Sequence, residues 1–159
     1  DYRGYGRSQG KRRLQAILSD YREIIAHLNA LPYPRRLYYG MSFGGIVLLD
    51  ALEASDDEKS VVIDSTPSRL SNYGCPPAHD PVNNLPEDSS DFLFISGDRD
   101  PVVSFNAQRE LLELARQRGA AVLRDPQFSH PFMDTDMENH DRRRRAVEGF
   151  LLDGHTEQP

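Results

Sequence analysis

R-L-Y-Y-G-M-S-F-G-G-I-V-L-L-D, residues 36–50, passes from a short apolar and aromatic run into a helical one across a single serine. The run from Arg36 to Met41 has strand character, and a helix is expected from about Gly44 to Ala54. Between them Gly40-Met41-Ser42-Phe43-Gly44 forms a G-x-S-x-G. A serine held at the tip of such a strand-to-helix turn must take up strained backbone angles, and its hydroxyl is then presented beyond the strand end. The residues two places either side lie so close together that a Cβ would clash, which favours glycine at 40 and 44. The amide of Phe43 opens the new helix and is aimed where an oxyanion would develop, so Phe43 is the candidate substrate-binding residue through its backbone. Ordinary glycine and serine frequencies put such a pentapeptide in about 6% of chains of this length. The strand before it and the helix after it are what raise it above a tight turn with an exposed serine.

Outward from this turn, strand and helix alternate. Asp1 to Gly10 carries Gly4, Gly6 and Gly10 and keeps no period, as a loop does. Apolar residues at Leu14, Ile17, Leu18, Tyr21, Ile24, Ile25 and Leu28 then step by threes and fours. They predict an amphipathic helix from about Arg13 to Leu31, ended by Pro32 and Pro34. Downstream, Ser60 to Asp64 reads as a strand buried on both faces. Phe92 to Ser96 and Ala120 to Leu123 read as the third and fourth strands. Helices are expected from about Phe105 to Arg118, closed by Gly119, and from about Asn139 to Leu152. Residues Ser65 to Asp91 hold Pro67, Pro76, Pro77, Pro81 and Pro86 and read as a long irregular excursion, of a length that is usually functional or mobile in a compact domain. The alternation gives an α/β class with parallel strands and right-handed crossovers, one domain over 1–159 without internal repeats.

Composition narrows the function classes. The 159 residues are 38% hydrophobic and 28% charged, and no apolar run approaches the ~20 residues needed to cross a bilayer. A net charge of −6 argues against a dedicated nucleic-acid binder, whose phosphate contacts need a basic face. Cys75, the single cysteine, excludes an internal disulfide framework and a multi-cysteine zinc site. No secretory n-region and h-region precede the first motif, so a cytoplasmic protein is expected. The chain opens at Asp1 on residues that read as the middle of a fold, so a trimmed chain or fragment is also expected, and a leader ahead of Asp1 would escape this reading.

A serine nucleophile needs a base, and the base needs an orienting carboxylate. In a parallel sheet both belong in loops at the carboxyl ends of later strands. Gly97-Asp98-Arg99-Asp100-Pro101-Val102-Val103 follows the third strand, and Phe128-Ser129-His130-Pro131-Phe132 follows the fourth. Asp98 and Asp100 compete for the acid, with Asp64 at the end of the second strand as a third contender. His27, His79, His140 and His155 read as solvated, without metal-ligand spacing. Arg142 to Arg145 reads as a solvated basic face of the last helix, and Cys75 as incidental.

These motifs, in this order, resemble those of the α/β-hydrolases, nearest the serine-aminopeptidase-like and acyl-thioesterase-like branch. D-Y-R-G-Y-G-R-S-Q-G (1–10) is similar to the loop after that branch's fourth strand, and G-M-S-F-G-G (40–45) to its nucleophile elbow. G-D-R-D-P-V-V (97–103) is similar to its acid loop, and F-S-H-P-F (128–132) to its histidine loop. The resemblance covers nearly the whole chain. It implies Ser42 as nucleophile, Asp100, ahead of Pro-Val-Val, as acid, and His130 as base. Ser129 departs from it, standing where many relatives carry glycine. The strands and the loop that precede such residues in the family, with a second oxyanion amide, have no counterpart, so the chain is expected to supply the fifth to eighth strands of the family's sheet.

The activity so implied is a serine hydrolase cleaving carboxylic esters, thioesters or amides through an acyl-enzyme on Ser42, with no cofactor and no metal. The excursion 65–91 is too short and proline-rich for packed lid helices, so it is expected to form a short cap or rim. An open site favours a small-molecule or peptide-borne ester over a buried long-chain lipid. Acyl transfer on the same triad and a non-catalytic interaction module that keeps the fold are the rival readings.

Overall fold

A computed structural model describes residues 1–52 and 59–153. Four strands, β1 (Arg36–Met41), β2 (Lys59–Asp64), β3 (Phe92–Gly97) and β4 (Ala121–Asp125), pair in parallel in the order β1-β2-β3-β4. Around them run α1 (Leu14–Asn29), α2 (Phe43–Leu52), the single turn α3 (Pro81–Asn84), α4 (Phe105–Gln117) and α5 (Met137–Asp153).

Alternation along the strands divides the core in two. Val61, Ile63, Phe92 and Phe94 point to the side of α1, α2 and α4, where they meet Ile25, Leu49, Leu52, Leu111 and Leu112. Val62, Leu93 and Ile95 point to the other side, against Phe128 and Phe150. Side chains of this kind contribute about 1.5–3 kcal/mol each when fully buried. Burial on both faces is why β2 and β3 are unbroken apolar runs. β1 differs: Tyr38 joins the first side, whereas Leu37 and Tyr39, on the α5 side, stay 44% and 39% exposed. No helix among the described residues is long and apolar enough to cross a membrane.

Helix ends explain the joints. The Arg36 guanidinium donates to the carbonyls of Leu28, Asn29 and Leu31, satisfying the open C-terminal end of α1 and tying it to the start of β1. α2 leaves the serine turn directly and is buried from Gly45 to Leu52, hence apolar on all sides except at Asp50, which is paired with His79 and Arg22. Asp136 Oδ1 accepts the Glu138 N–H and opens α5.

The predicted elements are present with ends moved by a few residues. β4 runs on through Arg124 and Asp125, polar residues that hide its end: the Asp125 carboxylate is buried against Arg142 and the Gln127 amide. The predicted helix end at Ala54, like His155, lies outside the described residues. The excursion folds as two 3₁₀ turns, Ser71–Tyr73 and Pro77–His79, followed by α3. It packs against α2 and α4, with Val82 and Leu85 in the core. Buried Asp80 accepts from the Ser71 N–H and hydroxyl, both at 2.7 Å. His79 is not solvated: it is 8% exposed, with Nδ1 3.0 Å from Asp50 Oδ2 and Nε2 3.1 Å from Gln15 Oε1.

Candidate active site

Because all four strands run the same way, Ser42, Ser65, Asp98 to Asp100 and the segment leading to His130 gather at one end of the sheet. Ser42 has φ 52°, a left-handed angle unusual for a residue with a side chain. Its N–H donates to Asp64 O at 2.8 Å, and its carbonyl accepts from the Gly45 N–H and the Thr66 hydroxyl, both at 3.1 Å. A Cβ at Gly40 would lie 2.9 Å from Gly44 O and Gly45 Cα, so this glycine is sterically required. The second tight position is Gly45, whose Cβ would meet Thr66 Oγ1 at 2.0 Å, and not Gly44, which faces only the Tyr2 hydroxyl at 3.2 Å. Phe43 begins α2, where the first N–H groups have no intrahelical acceptor, and its ring meets Tyr2 edge-on at 5.4 Å.

His130 Nδ1 lies 2.8 Å from Asp100 Oδ2. The other Asp100 oxygen accepts the N–H groups of Val102 and Val103, each at 2.8 Å. Asp100 is thus a buried carboxylate with three N–H donors once the proton sits on Nδ1, which leaves the Nε2 lone pair free to accept a proton. The rival acids are engaged elsewhere. Asp98 is exposed and bonds Arg124 at 2.7 Å. Asp64 is fully buried and accepts from Tyr39, Ser65 and Arg143. Burial pushes the Asp64 carboxyl above the ordinary carboxylate range, against the pull of Arg143. Burial also raises the Tyr39 hydroxyl, helped by the neighbouring Asp64 charge. Asp100 and His130 are therefore brought together. No hydrogen bond joins the Ser42 hydroxyl to His130 among the described residues.

The basic run on α5 is only partly solvated. Arg144 is exposed and paired with Glu148, but Arg142 is bound to Asp125 and Arg143 is 4% exposed. The inward stripe Asn139, Arg143, Phe150, together with Val147, steps by fours and threes, and that spacing is the sequence signal that could have marked Arg143 as interior. His27 is exposed, and His140 is half-buried on α5 with its ring 6.4 Å from that of Phe132. Cys75 is a free, half-buried thiol in the excursion. A cleft of about 410 Å³ opens beside the histidine loop, lined by Arg99, Arg142, Asp134, Asp136 and Glu138 among others, so it is charged and not apolar. No group of His, Cys, Asp or Glu among the described residues could hold a metal ion.

No family model matches the chain. It is 26% identical, over 96% of its length, to the uncharacterized protein YfhR of Escherichia coli (strain K12), and it spans 58% of the length of that curated relative. Among solved structures it resembles MGS-M2, an α/β-hydrolase enzyme from a Medee basin deep-sea metagenome library, with a TM-score of 0.70 and 15% identity, over 100% of this chain and 79% of that one. The Est2 esterase of Thermogutta terrifontis matches with a TM-score of 0.67 and 16% identity over 100% and 72%. A monoacylglycerol lipase of Paleococcus ferrophilus matches with a TM-score of 0.62 and 17% identity over 95% and 81%. At these identities the likeness is one of fold.

Proposed function

We propose that this chain, which has the α/β-hydrolase fold, carries the reacting residues of a serine hydrolase acting on carboxylic esters, thioesters or amides. The observation that carries the reading is the 2.8 Å contact between Asp100 and His130, at the same end of the sheet as the strained Ser42 turn. In this reading Ser42 Oγ attacks the acyl carbon while His130 Nε2 takes its proton. Asp100 holds the imidazole in the tautomer with the proton on Nδ1 and stabilises the imidazolium that forms. The oxyanion receives the Phe43 N–H at the start of α2. His130 then protonates the leaving group, the acyl group stays on Ser42, and water activated by the same His130 releases the acid.

The excursion 65–91 serves as one rim of the site: it starts at Ser65 and Thr66, beside Ser42, and then turns away to pack on α2 and α4. A charged cleft next to the histidine loop suits a small-molecule or peptide-borne ester with polar groups better than a long-chain lipid. The test is labelling of the full-length protein with a fluorophosphonate, followed by turnover of para-nitrophenyl acetate. The expected result is a single adduct on Ser42 and no turnover in Ser42→Ala. An unlabelled protein would be the interaction module, and label with acyl passed to an added alcohol in preference to water would make it a transferase.

A further inference from the structure

Resting on the reading of Ser42, Asp100 and His130 as the reacting set, we infer that Arg143 is a positioning residue that fixes the backbone carrying His130. Ser129, the residue before the histidine, has both of its backbone groups held. Its N–H donates to Asp134 Oδ1 at 2.7 Å, and its carbonyl accepts from Arg143 Nη2 at 2.5 Å. Arg143 Nε faces the other Asp134 oxygen at 3.5 Å, and Nη1 bonds Asp64 Oδ1 at 2.6 Å. Asp64 in turn accepts the Ser42 N–H on its backbone carbonyl at 2.8 Å. A continuous polar path therefore runs from the serine turn through Asp64 and Arg143 to the peptide before His130.

The path is buried. Arg143 is 4% exposed and Asp64 0%, and the guanidinium lies 4.5 Å from the centre of the Phe128 ring. A buried ion pair is a poor source of net stability, because desolvation offsets most of its attraction. Its value here is geometric. A planar guanidinium holds hydrogen bonds to Asp64 at the end of β2 and to the Ser129 carbonyl in the histidine loop at a fixed angle, with Nε facing Asp134 of the same loop, which a lysine ammonium on its flexible stem cannot reproduce. Asp100 fixes the rotation of the His130 ring, and Arg143 fixes where its backbone stands relative to Ser42.

The experiment compares wild type with Arg143→Lys, Arg143→Met and Asp134→Asn in the full chain, with Arg144→Met as a control on the exposed face of the same helix. Thermal melting reports folding. The rate of fluorophosphonate labelling, kcat and KM on para-nitrophenyl acetate, and the downfield proton resonance of His130 Nδ1 report the site. Arg143→Lys and Asp134→Asn are expected to stay folded, with labelling and kcat lower by about 10²-fold, as misplacement of a reacting group by an ångström produces. KM is expected to change little, the Nδ1 proton resonance to shift or broaden, and Arg144→Met to match wild type. A folded Arg143→Lys with wild-type kcat and an unmoved resonance overturns the inference. So does loss of folding in all three variants, which would make Arg143 a stability residue. Wild-type protein that fails to label at Ser42 overturns the hydrolase reading and this inference together, whereas normal wild-type labelling with indifferent Arg143 variants overturns this inference alone.

Discussion

A Cβ on Gly97 would stand 2.1 Å from the carbonyl oxygen of Phe128 and 2.6 Å from its carbonyl carbon. The acid loop and the histidine loop thus touch backbone to backbone. The Arg99 N–H donates to that same Phe128 oxygen at 3.0 Å, and the Asp98 N–H to Asp125 O at 3.0 Å. The separation of Asp100 and His130 is set at this crossing, three residues before the carboxylate and two before the imidazole. Neither side can yield cheaply, since Gly97 is paired in β3 and Phe128 is 1% exposed in the core.

Gly97→Ala is therefore expected to destabilise the fold by about 1–3 kcal/mol, the usual cost of forcing atoms into a packed site. It should also lengthen the Asp100–His130 contact and slow labelling of Ser42 in the fraction that stays folded. Denaturant titration beside the labelling assay checks both. Unchanged stability would mean that the two loops separate without resistance.

Ser42 offers a trade between stability and reaction. Its φ of 52° costs a residue with a Cβ about 1 kcal/mol, a cost that glycine escapes. Ser42→Gly should melt higher than Ser42→Ala while both lack turnover, because the backbone bonds to Asp64 and Gly45 remain in either variant. Turnover surviving in either variant would remove Ser42 from the chemistry.

Two carboxylates at this end of the sheet, Asp100 and Asp98, are separable by substitution. Asp100→Asn should cut turnover by up to about 10⁴, because an amide cannot hold the imidazole in its working tautomer. Asp98→Asn loses only an exposed contact to Arg124, a kind of pair worth at most about 1 kcal/mol, and should leave turnover near wild type. Equal losses in the two variants would speak against Asp100 as the orienting group.

What the sequence reveals of this arrangement follows from how local its causes are. β2 and β3 are legible because burial on both faces forces unbroken apolar runs. The serine turn is legible because Gly40 must clear Gly44 and Gly45, all within one turn of chain. The sequence on its own leaves Asp98 and Asp100 open; only the resemblance through Pro101-Val102-Val103 favours Asp100, whose carboxylate accepts the Val102 and Val103 amides. The rest depends on long-range partners. Gly45 is required by Thr66, on the far side of β2; His79 is buried because Asp50 and Gln15 reach it from two helices. Arg143 looks like one of four surface arginines until Asp64 and Ser129 are brought to it. For Gly45 and His79 no local pattern outweighs the ordinary reading of such a residue as exposed or unconstrained, and for Arg143 the only local signal is its place on the inward stripe of α5.

The turn that follows His130 holds a strained residue, Phe132. The Met133 N–H donates to His130 O at 2.8 Å, closing a four-residue turn with Pro131 second and Phe132 third. Phe132 has φ 66°, the angle that the third position of a type II turn demands and that glycine adopts without strain. Its ring gives little in return, being 74% exposed, with its centre 6.4 Å from that of the His140 ring. Phe132→Gly should therefore raise stability by about 0.5–1 kcal/mol, the strain relieved less a weak ring contact. Phe132→Ala keeps the Cβ in the left-handed region and should melt below the glycine variant. A Phe132→Gly protein that melts below Phe132→Ala would show that the ring contact, and not the backbone angle, decides the energetics of the turn after His130.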